Sequence, residues 1–394
     1  MTDGSLTTLP ARTPSAAATL ANAVIAFETE DAARRRLTAF GYPPDVAAEI
    51  AIYLAQSTDL PLFIDDTREA LRQEGIEADF VTLDELPQRL RELAPHRDQT
   101  IVWTFTDGVR FYRGSSVPAL ARLAGFARFG SPACAAHLCQ DKFASLALAS
   151  AAGLAVPPTK LMEGSKEIAA LGDWTGACGR LFVKPNTLGA KIGIFADSLC
   201  RDWKEAEDGA KRIWERYRDR ALVQPFVDGD DVRVSFIDLG GELANQLGIE
   251  RIVKDAASEV GGAFLTMKDN ETLSGARDLA GGRGGFGASR PAAFTPRMID
   301  LRAGDDERSL RAVALIADFS ARLARLIGLR DLFSIDFRID SAGRPTFFEF
   351  EVCPGVTIYD FQNYLRSQRG MTLGQAVAKS MQLAFARRME ALEA

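Results

Sequence analysis

The sequence runs to 394 residues with a net charge of -6 and 47% hydrophobic content, enough chain for two or three domains with real cores. Mild acidity without any long Lys/Arg run gives nucleic acid no electrostatic hold, and no apolar run approaches the roughly 18 residues of a membrane span. Five scattered cysteines without CxxC spacing, and only two histidines (His96 and His137), exclude a disulfide framework, a zinc site and a His-based triad.

Residues 1–20 lack the basic and apolar regions of a signal peptide and read as a flexible tail, so a soluble, cytoplasmic protein is expected. Residues 16–55 are Ala-rich with helical spacing. LPLFID, DFVTLD and TIVWTF read as short strands separated by the helical pieces TREALRQEG and LPQRLREL, which predicts an open α/β domain over 21–130. DKFASLALASAAGL is a helix ended by Gly153 and the VPP punctuation at 156–158. RLFVKP (180–185) is a strand running into the turn NTLGAKIG; the charged helix RDWKEAEDGAKRIWERYRDR and the strand ALVQPFV complete a second unit over 131–228. The third unit, 229–394, opens with a stretch (251–300) that includes LAGGRGGFGASRP and reads as a long mobile loop. The helix SLRAVALIADFSARLARLIGL, the hairpin DLFSIDFRID–SAGR–PTFFEFEV and a helix from residue 372 or so follow.

The hairpin carries the densest chemistry. In FFEFEVCPG (347–355), Glu349 and Glu351 share one face, with Phe348, Phe350 and Val352 on the other. In IDFRID, Asp336, Arg338 and Asp340 share a face opposite Ile335, Phe337 and Ile339. Pairing through the SAGR loop matches position 340 with 345, sets Asp336 opposite Glu349 and leaves Glu351 beside them. A one-residue slip would drive the charges into the core. Directly opposed like charges destabilise a sheet, so the patch requires a cation, and Mg²⁺ shared with nucleotide phosphates suits it. A solvated face with Arg338 as internal counter-ion is the alternative.

Two further constellations lie upstream. In FVKPNTLGAKIG, Lys184 ends a strand, Gly189 and Gly193 permit a tight turn whose N–H groups can meet an anion, and Lys191 adds charge. The spacing is not that of a P-loop, and a hairpin with a solvated tip is the plainer reading. In LVQPFVDGDDVRV, Gln224 and the backbone of Phe226 and Val227 suit an adenine edge, Asp231 suits ribose hydroxyls, and Arg233 follows on the next strand. A plain strand–turn–strand is the alternative there.

In this order and spacing, QDK (140–142), VKPNTLGAKIG (183–193), LVQPFVDGDD (222–231) and DFRIDSAGRPTFFEFEVCPG (336–355) resemble the ATP-grasp superfamily, most closely its D-alanine–D-alanine ligase-like branch. AGFARFGSPACAAHLCQDK (124–142) is similar to that branch's passage between its first two domains. The resemblance covers residues 100–375 or so and implies a three-domain α/β ATP-grasp fold, with an N-terminal open α/β domain and two α+β lobes gripping ATP. It implies Asp336 and Glu349 as magnesium carboxylates, with Glu351, standing where the family usually has asparagine, as a third candidate metal ligand, and a pair of Mg²⁺ ions that Mn²⁺ can replace. Lys184 matches the lysine on the ATP phosphates, and Gly189, Ala190 and Lys191 fall in the glycine-rich flap over them. A lysine common four residues after the DK lysine is Leu146 here, leaving Lys142 itself as a phosphate ligand. Gln224 stands where a glutamate usually reads the adenine amino group, and Val227 and Asp231 match the hinge and ribose positions. Gly355 matches the residue whose N–H helps stabilise the tetrahedral intermediate. The arginine expected two residues before the first metal carboxylate is Ser334, leaving Arg338 or Arg233 for its catalytic role.

The implied activity joins a carboxylate to an amine through an acyl phosphate, releasing ADP and phosphate. Positioning and charge neutralisation supply most of such catalysis, so the lack of a nucleophilic triad is expected. The 251–300 loop is then a lid that excludes water; an insertion without a role is the alternative. The segment TDGVRFYRGSS (106–116) lacks the branch's HGxxGEDG stretch, which points to a specialised dipeptide or amide ligase with amino-acid-like donor and acceptor. Arg233, Arg251, Arg290 and Arg338 are candidates for pairing a substrate carboxylate. D-alanine–D-alanine ligase proper, a kinase-like phosphotransferase and a non-catalytic nucleotide-binding protein remain open, as does a homodimer.

Overall fold

The computed structural model describes residues 19–55, 60–105, 113–175, 179–189, 191–253, 264, 297–353, 361 and 364–393. Its first sheet has the order β2-β1-β3-β4, all parallel. The strands are β1 (Asn22–Phe27), β2 (Glu77–Thr82), β3 (Thr100–Thr104) and β4 (Ala127–Arg128). β1 lies inside the stretch expected to be helical. Central in the sheet, it buries Ala23, Val24, Ile25 and Ala26 in succession, which erases the alternation that marks a half-exposed strand.

LPLFID, expected as a strand, instead opens the helix Leu60–Gln73. Phe63, Thr67, Ala70 and Leu71 are all buried, a helical period that outweighs a short apolar run. Against the same sheet packs the helix Leu373–Glu393, whose Ala376, Val377, Met381 and Phe385 share a core with Ile25, Phe63 and Trp103.

The second sheet has the order β6-β5-β9-β7-β8 and is antiparallel. It comprises β5 (Thr159–Glu163), β6 (Lys166–Leu171), β7 (Leu181–Pro185), β8 (Leu199–Cys200) and β9 (Ala221–Pro225). The helix Trp203–Tyr217 packs on it, and so do the helices Glu30–Ala39 and Pro44–Ala55 from the first unit. Ala33, Leu37, Val46 and Ile50 join Leu181, Val183 and Ile213 in one core. Glu49 ties this contact, accepting from Tyr217 Oη at 2.7 Å and from Arg216 Nη2 at 2.9 Å.

The third sheet, β12-β11-β10-β13-β14, is also antiparallel. It comprises β10 (Asp230–Ile237), β11 (Gly248–Val253), β12 (Arg297–Asp300), β13 (Leu332–Ile339) and β14 (Pro345–Glu351). The stretch 251–300, expected as loop throughout, therefore begins and ends as paired strand, with Arg251 opposite Ile299. Residues 254–263 and 265–296 lie outside the described residues, and the lid expectation with them. One face of the sheet is apolar: Val232, Val234, Ile335, Phe337, Phe347 and Phe350 share a core with Phe319 of the helix Glu307–Ile327 and with Leu146. The other face looks onto the second sheet's end and carries the charges. Among the described residues no helix is long and apolar enough to cross a membrane, and Cys134, Cys139, Cys200 and Cys353 are free thiols.

Candidate active site

The hairpin loop is one residue longer than the SAGR count predicts. Ile339, not Asp340, pairs with Pro345, and Phe337 pairs with Phe347. A β-bulge between Asp336 and Phe337 then restores Asp336 opposite Glu349 and places Ser334 opposite Glu351. The extra residue is Phe348. Expected on the core face, it lies instead beneath Lys184, whose Nζ is 5.1 Å from its ring centroid. Phe347 and Phe350 keep the core positions.

Strand order extends the pattern into a row across the sheet. Arg233 lies opposite Asp336 on β13 and opposite Glu250 on β11, so Glu250, Arg233, Asp336 and Glu349 stand side by side across four strands. Arg233 chelates Asp336, with Nε to Oδ1 at 2.8 Å and Nη2 to Oδ2 at 2.9 Å. Its Nη1 is 3.5 Å from Glu351 Oε2, which also accepts from Ser334 Oγ at 3.2 Å. The cation that this carboxylate patch calls for is thus partly built in: Arg233 answers Asp336 and Glu351.

Two lysines reach the row from the second unit. Asp141 caps the helix Lys142–Ala151 by accepting from Ala144 N–H at 2.9 Å. Asn186, just past β7, accepts from Phe143 N–H at 2.8 Å and donates to Asp141 Oδ1 at 3.1 Å. This lock between helix start and strand end brings Lys142 beside Lys184. Lys142 Nζ donates to the Leu188 carbonyl at 2.7 Å and lies 3.3 Å from Glu349 Oε2. Burial opposes ionisation of Glu349, but Lys142 and Lys184 outweigh it and hold its pKa down to about 2. Burial pushes the Lys184 pKa down, against the pull of Glu349 and with the repulsion of Lys142. Glu349 is therefore a carboxylate at neutral pH, and both lysines converge where a phosphate chain would lie.

One row further along, the same two strands carry a second pair. Asp231 on β10 faces Arg338 on β13. Arg338 Nε donates to Asp231 Oδ1, and Nη1 to the Val227 carbonyl, each at 2.6 Å. Its guanidinium also lies 4.7 Å from the Phe226 ring. Arg338 is buried and braces the connector between β9 and β10, whereas Arg233 is the arginine seen on Asp336. The Phe226 backbone is expected at a base edge, but its N–H donates to the Arg180 carbonyl at 2.8 Å, and its ring lies against the Arg180 and Arg338 guanidinium groups. Gly229 makes the turn possible: at φ +146°, an added Cβ would come within 2.2 Å of the Ile339 carbonyl oxygen. Gln224 is buried, its Nε2 held by Thr159 Oγ1 at 2.9 Å. Its Oε1 is buried without a hydrogen-bond partner, an acceptor that an exocyclic amino group would satisfy.

The flap turn is anchored rather than free at its base. Leu188 and Ile192 are buried in the second unit's core, and Thr187 is held by Asp219 at 2.8 Å through both N–H and hydroxyl. Lys191 takes a left-handed φ of 64°. Ala190, Gly355, Arg290 and most of the 106–116 segment lie outside the described residues; Arg251 pairs with Asp230 at 3.4 Å. Among the described residues no group of three or more His, Cys, Asp or Glu side chains forms a metal cage. Mg²⁺ needs no such cage, since it is commonly held by one or two carboxylates and completed by nucleotide phosphates and water. Asp336 and Glu349, opposed across one register position, are the carboxylates that would hold it. The residues present fit ATP and Mg²⁺ together.

No family model matches the chain. It is 24% identical over 300 residues to the D-alanine–D-alanine ligase of Citrifermentans bemidjiense, covering 76% of this chain and 82% of the relative. Against the D-alanine–D-alanine ligase of Pelotomaculum thermopropionicum it is 23% identical over 348 residues, covering 86% and 89%. Its fold matches the D-alanine–D-alanine ligase of Bacillus anthracis, crystallised with ATP, at a TM-score of 0.59 and 12% identity over 95% of this chain and 100% of that one. It also matches the VanG D-Ala:D-Ser ligase of Enterococcus faecalis at a TM-score of 0.61 and 13% identity over 93% and 100%. The architecture is that of an ATP-grasp protein. In sequence the chain is similar to proteins named D-alanine–D-alanine ligases, and its fold is the one that those ligases share.

Proposed function

We propose that the chain activates an amino-acid-like carboxylate with ATP and Mg²⁺ and joins it to an amine as a peptide or amide bond, in the cytoplasm and in a specialised biosynthetic route. The observation that carries this reading is the meeting of Lys142 and Glu349 at 3.3 Å, where a carboxylate row on one lobe faces a lysine corner on the other. Lys142 and Lys184 would hold the phosphates and neutralise charge that develops on them. Gln224, Val227 and Asp231 would seat the nucleoside. Asp336 and Glu349 would hold the metal, which when bound neutralises phosphate charge. Arg233 would lie nearest the reacting carboxylate.

A screen of amino acids, singly and in pairs, tests this. Phosphate and ADP should appear only when a carboxylate and an amine substrate are both present, with the coupled product seen by mass spectrometry. Release of AMP and pyrophosphate would exclude the reading. D-alanine–D-alanine ligase proper is the second reading, favoured by the names of the relatives; turnover with D-alanine as sole substrate would establish it.

A further inference from the structure

We propose that Arg233 is a mobile counter-ion that competes with the divalent cation for Asp336, and that Glu351 is the seat to which it withdraws rather than a ligand of the metal. This rests on the ATP·Mg²⁺ reading above. Both Asp336 oxygens already accept from Arg233, at 2.8 and 2.9 Å. Chelation in this way occupies the inward-facing lone pair of each oxygen, so a metal ion that takes Asp336 from that side must displace the guanidinium. Glu351 lies 3.5 Å from the third nitrogen of the same guanidinium, oriented by Ser334. A small rotation of the arginine's end exchanges one carboxylate for the other.

Charge gives the exchange its reason. The two lysines answer Glu349 from the second unit, whereas Arg233 answers Asp336 and Glu351 from within the sheet. When a dication takes Asp336, the guanidinium beside it is a like charge at close range and needs a new partner. Glu351 supplies one without leaving the row. A neutral side chain at 351 would leave the displaced arginine with no carboxylate on that side, and a Glu351 bound to the metal would do the same. Displaced toward Glu351, Arg233 keeps its charge in the cleft, where a substrate carboxylate or its activated form would lie.

The test measures Mn²⁺ binding by electron paramagnetic resonance with a non-hydrolysable ATP analogue and no carboxylate or amine substrate, so that turnover plays no part. Arg233→Met should tighten Mn²⁺ about fivefold, and Arg233→Lys, which cannot chelate both oxygens, about twofold. Glu351→Gln should weaken Mn²⁺ about fivefold in the parent but no more than about twofold when Arg233 is already Met. Melting curves on each variant establish that the metal data come from folded protein, and the lysine variant, which keeps the charge, serves if methionine does not fold. An equal loss from Glu351→Gln with and without Arg233 would make Glu351 a ligand and overturn the proposal. Weaker Mn²⁺ binding in Arg233→Met would overturn it too. Either result leaves the ligase reading standing, whereas a parent protein that binds no Mn²⁺ with nucleotide removes both.

Discussion

Two arginine–aspartate pairs lie two residues apart on the same two strands, with their charges reversed. At one row β10 supplies Asp231 and β13 supplies Arg338; at the next β10 supplies Arg233 and β13 supplies Asp336. Their surroundings separate them. Arg338 also donates through Nη1 to the Val227 carbonyl and lies against Phe226, so its pair is a brace for the connector. Arg233 has Glu351 and the opposed Glu349 within the same patch, so its pair sits among surplus carboxylates. The same bond is a fixture in one row and an exchangeable contact in the other. What differs is the carboxylates seen around the cation: Arg338 is paired with Asp231, Arg233 with both Asp336 and Glu351.

The comparison can be broken by mutation. Arg338→Leu leaves Asp231 and the Val227 carbonyl without their partner in a half-buried site and should cost about 3–5 kcal/mol in urea unfolding. Exchanging the pair, Asp231→Arg with Arg338→Asp, should recover part of that stability, because a brace needs only opposite charges. A full recovery of nucleotide affinity in the exchanged protein would mean that Asp231 does not touch the nucleotide. Asp336→Asn should lower product formation about 10²–10³-fold with little change in melting temperature, because it removes a charge partner the reaction needs and the fold does not. Unchanged turnover would remove Asp336 from the site.

A smaller effect comes from pH. Glu349 is held at a pKa of about 2 in the folded protein, below its ordinary 4.5. A depressed folded-state pKa adds stability above the unfolded value, and that stability is lost as pH falls from the mid-4 region toward 2. Without nucleotide or metal, unfolding free energy should therefore drop by roughly 2 kcal/mol more for the parent than for Glu349→Gln over that window. Parallel pH profiles for the two proteins would show that the lysines do not stabilise the carboxylate. The smallest effect expected is from Thr187→Val, which removes one hydrogen bond to Asp219 and should cost about 1 kcal/mol, read by thermal melting.

The sequence makes the pairing of Asp336 with Glu349 legible because both strands keep their charges off the apolar face, even though the two strands pair in different registers on either side of the bulge. It does not show how that pairing is reached, since the bulge at Phe348 replaces an alternation with two successive residues on one strand. Arg233 was visible as a candidate, but its contact with Asp336 depends on β10 lying between β11 and β13, which no local pattern encodes. Glu250 escaped notice for the same reason: it is one charge in GIERIV, and only strand order lines it up with the others. Lys142 and Lys184 stand out in the sequence, while the Asp141–Asn186 lock that brings them together leaves no local pattern there. In the first unit, burial on both faces hid β1, and a short apolar run disguised the start of the helix Leu60–Gln73.

The helix Leu373–Glu393 supplies Ala376, Val377, Met381 and Phe385 to the core of the sheet built from Asn22 onward. Synthesis on the ribosome proceeds from the other end, so the first strands emerge long before the helix that covers them. The first sheet must wait with that apolar surface exposed while the two lobes behind it are made and fold, a reversal of the usual order in which N-terminal domains settle first. Truncation before this helix would strand the first sheet in that state, with aggregation rather than a smaller working enzyme as the outcome.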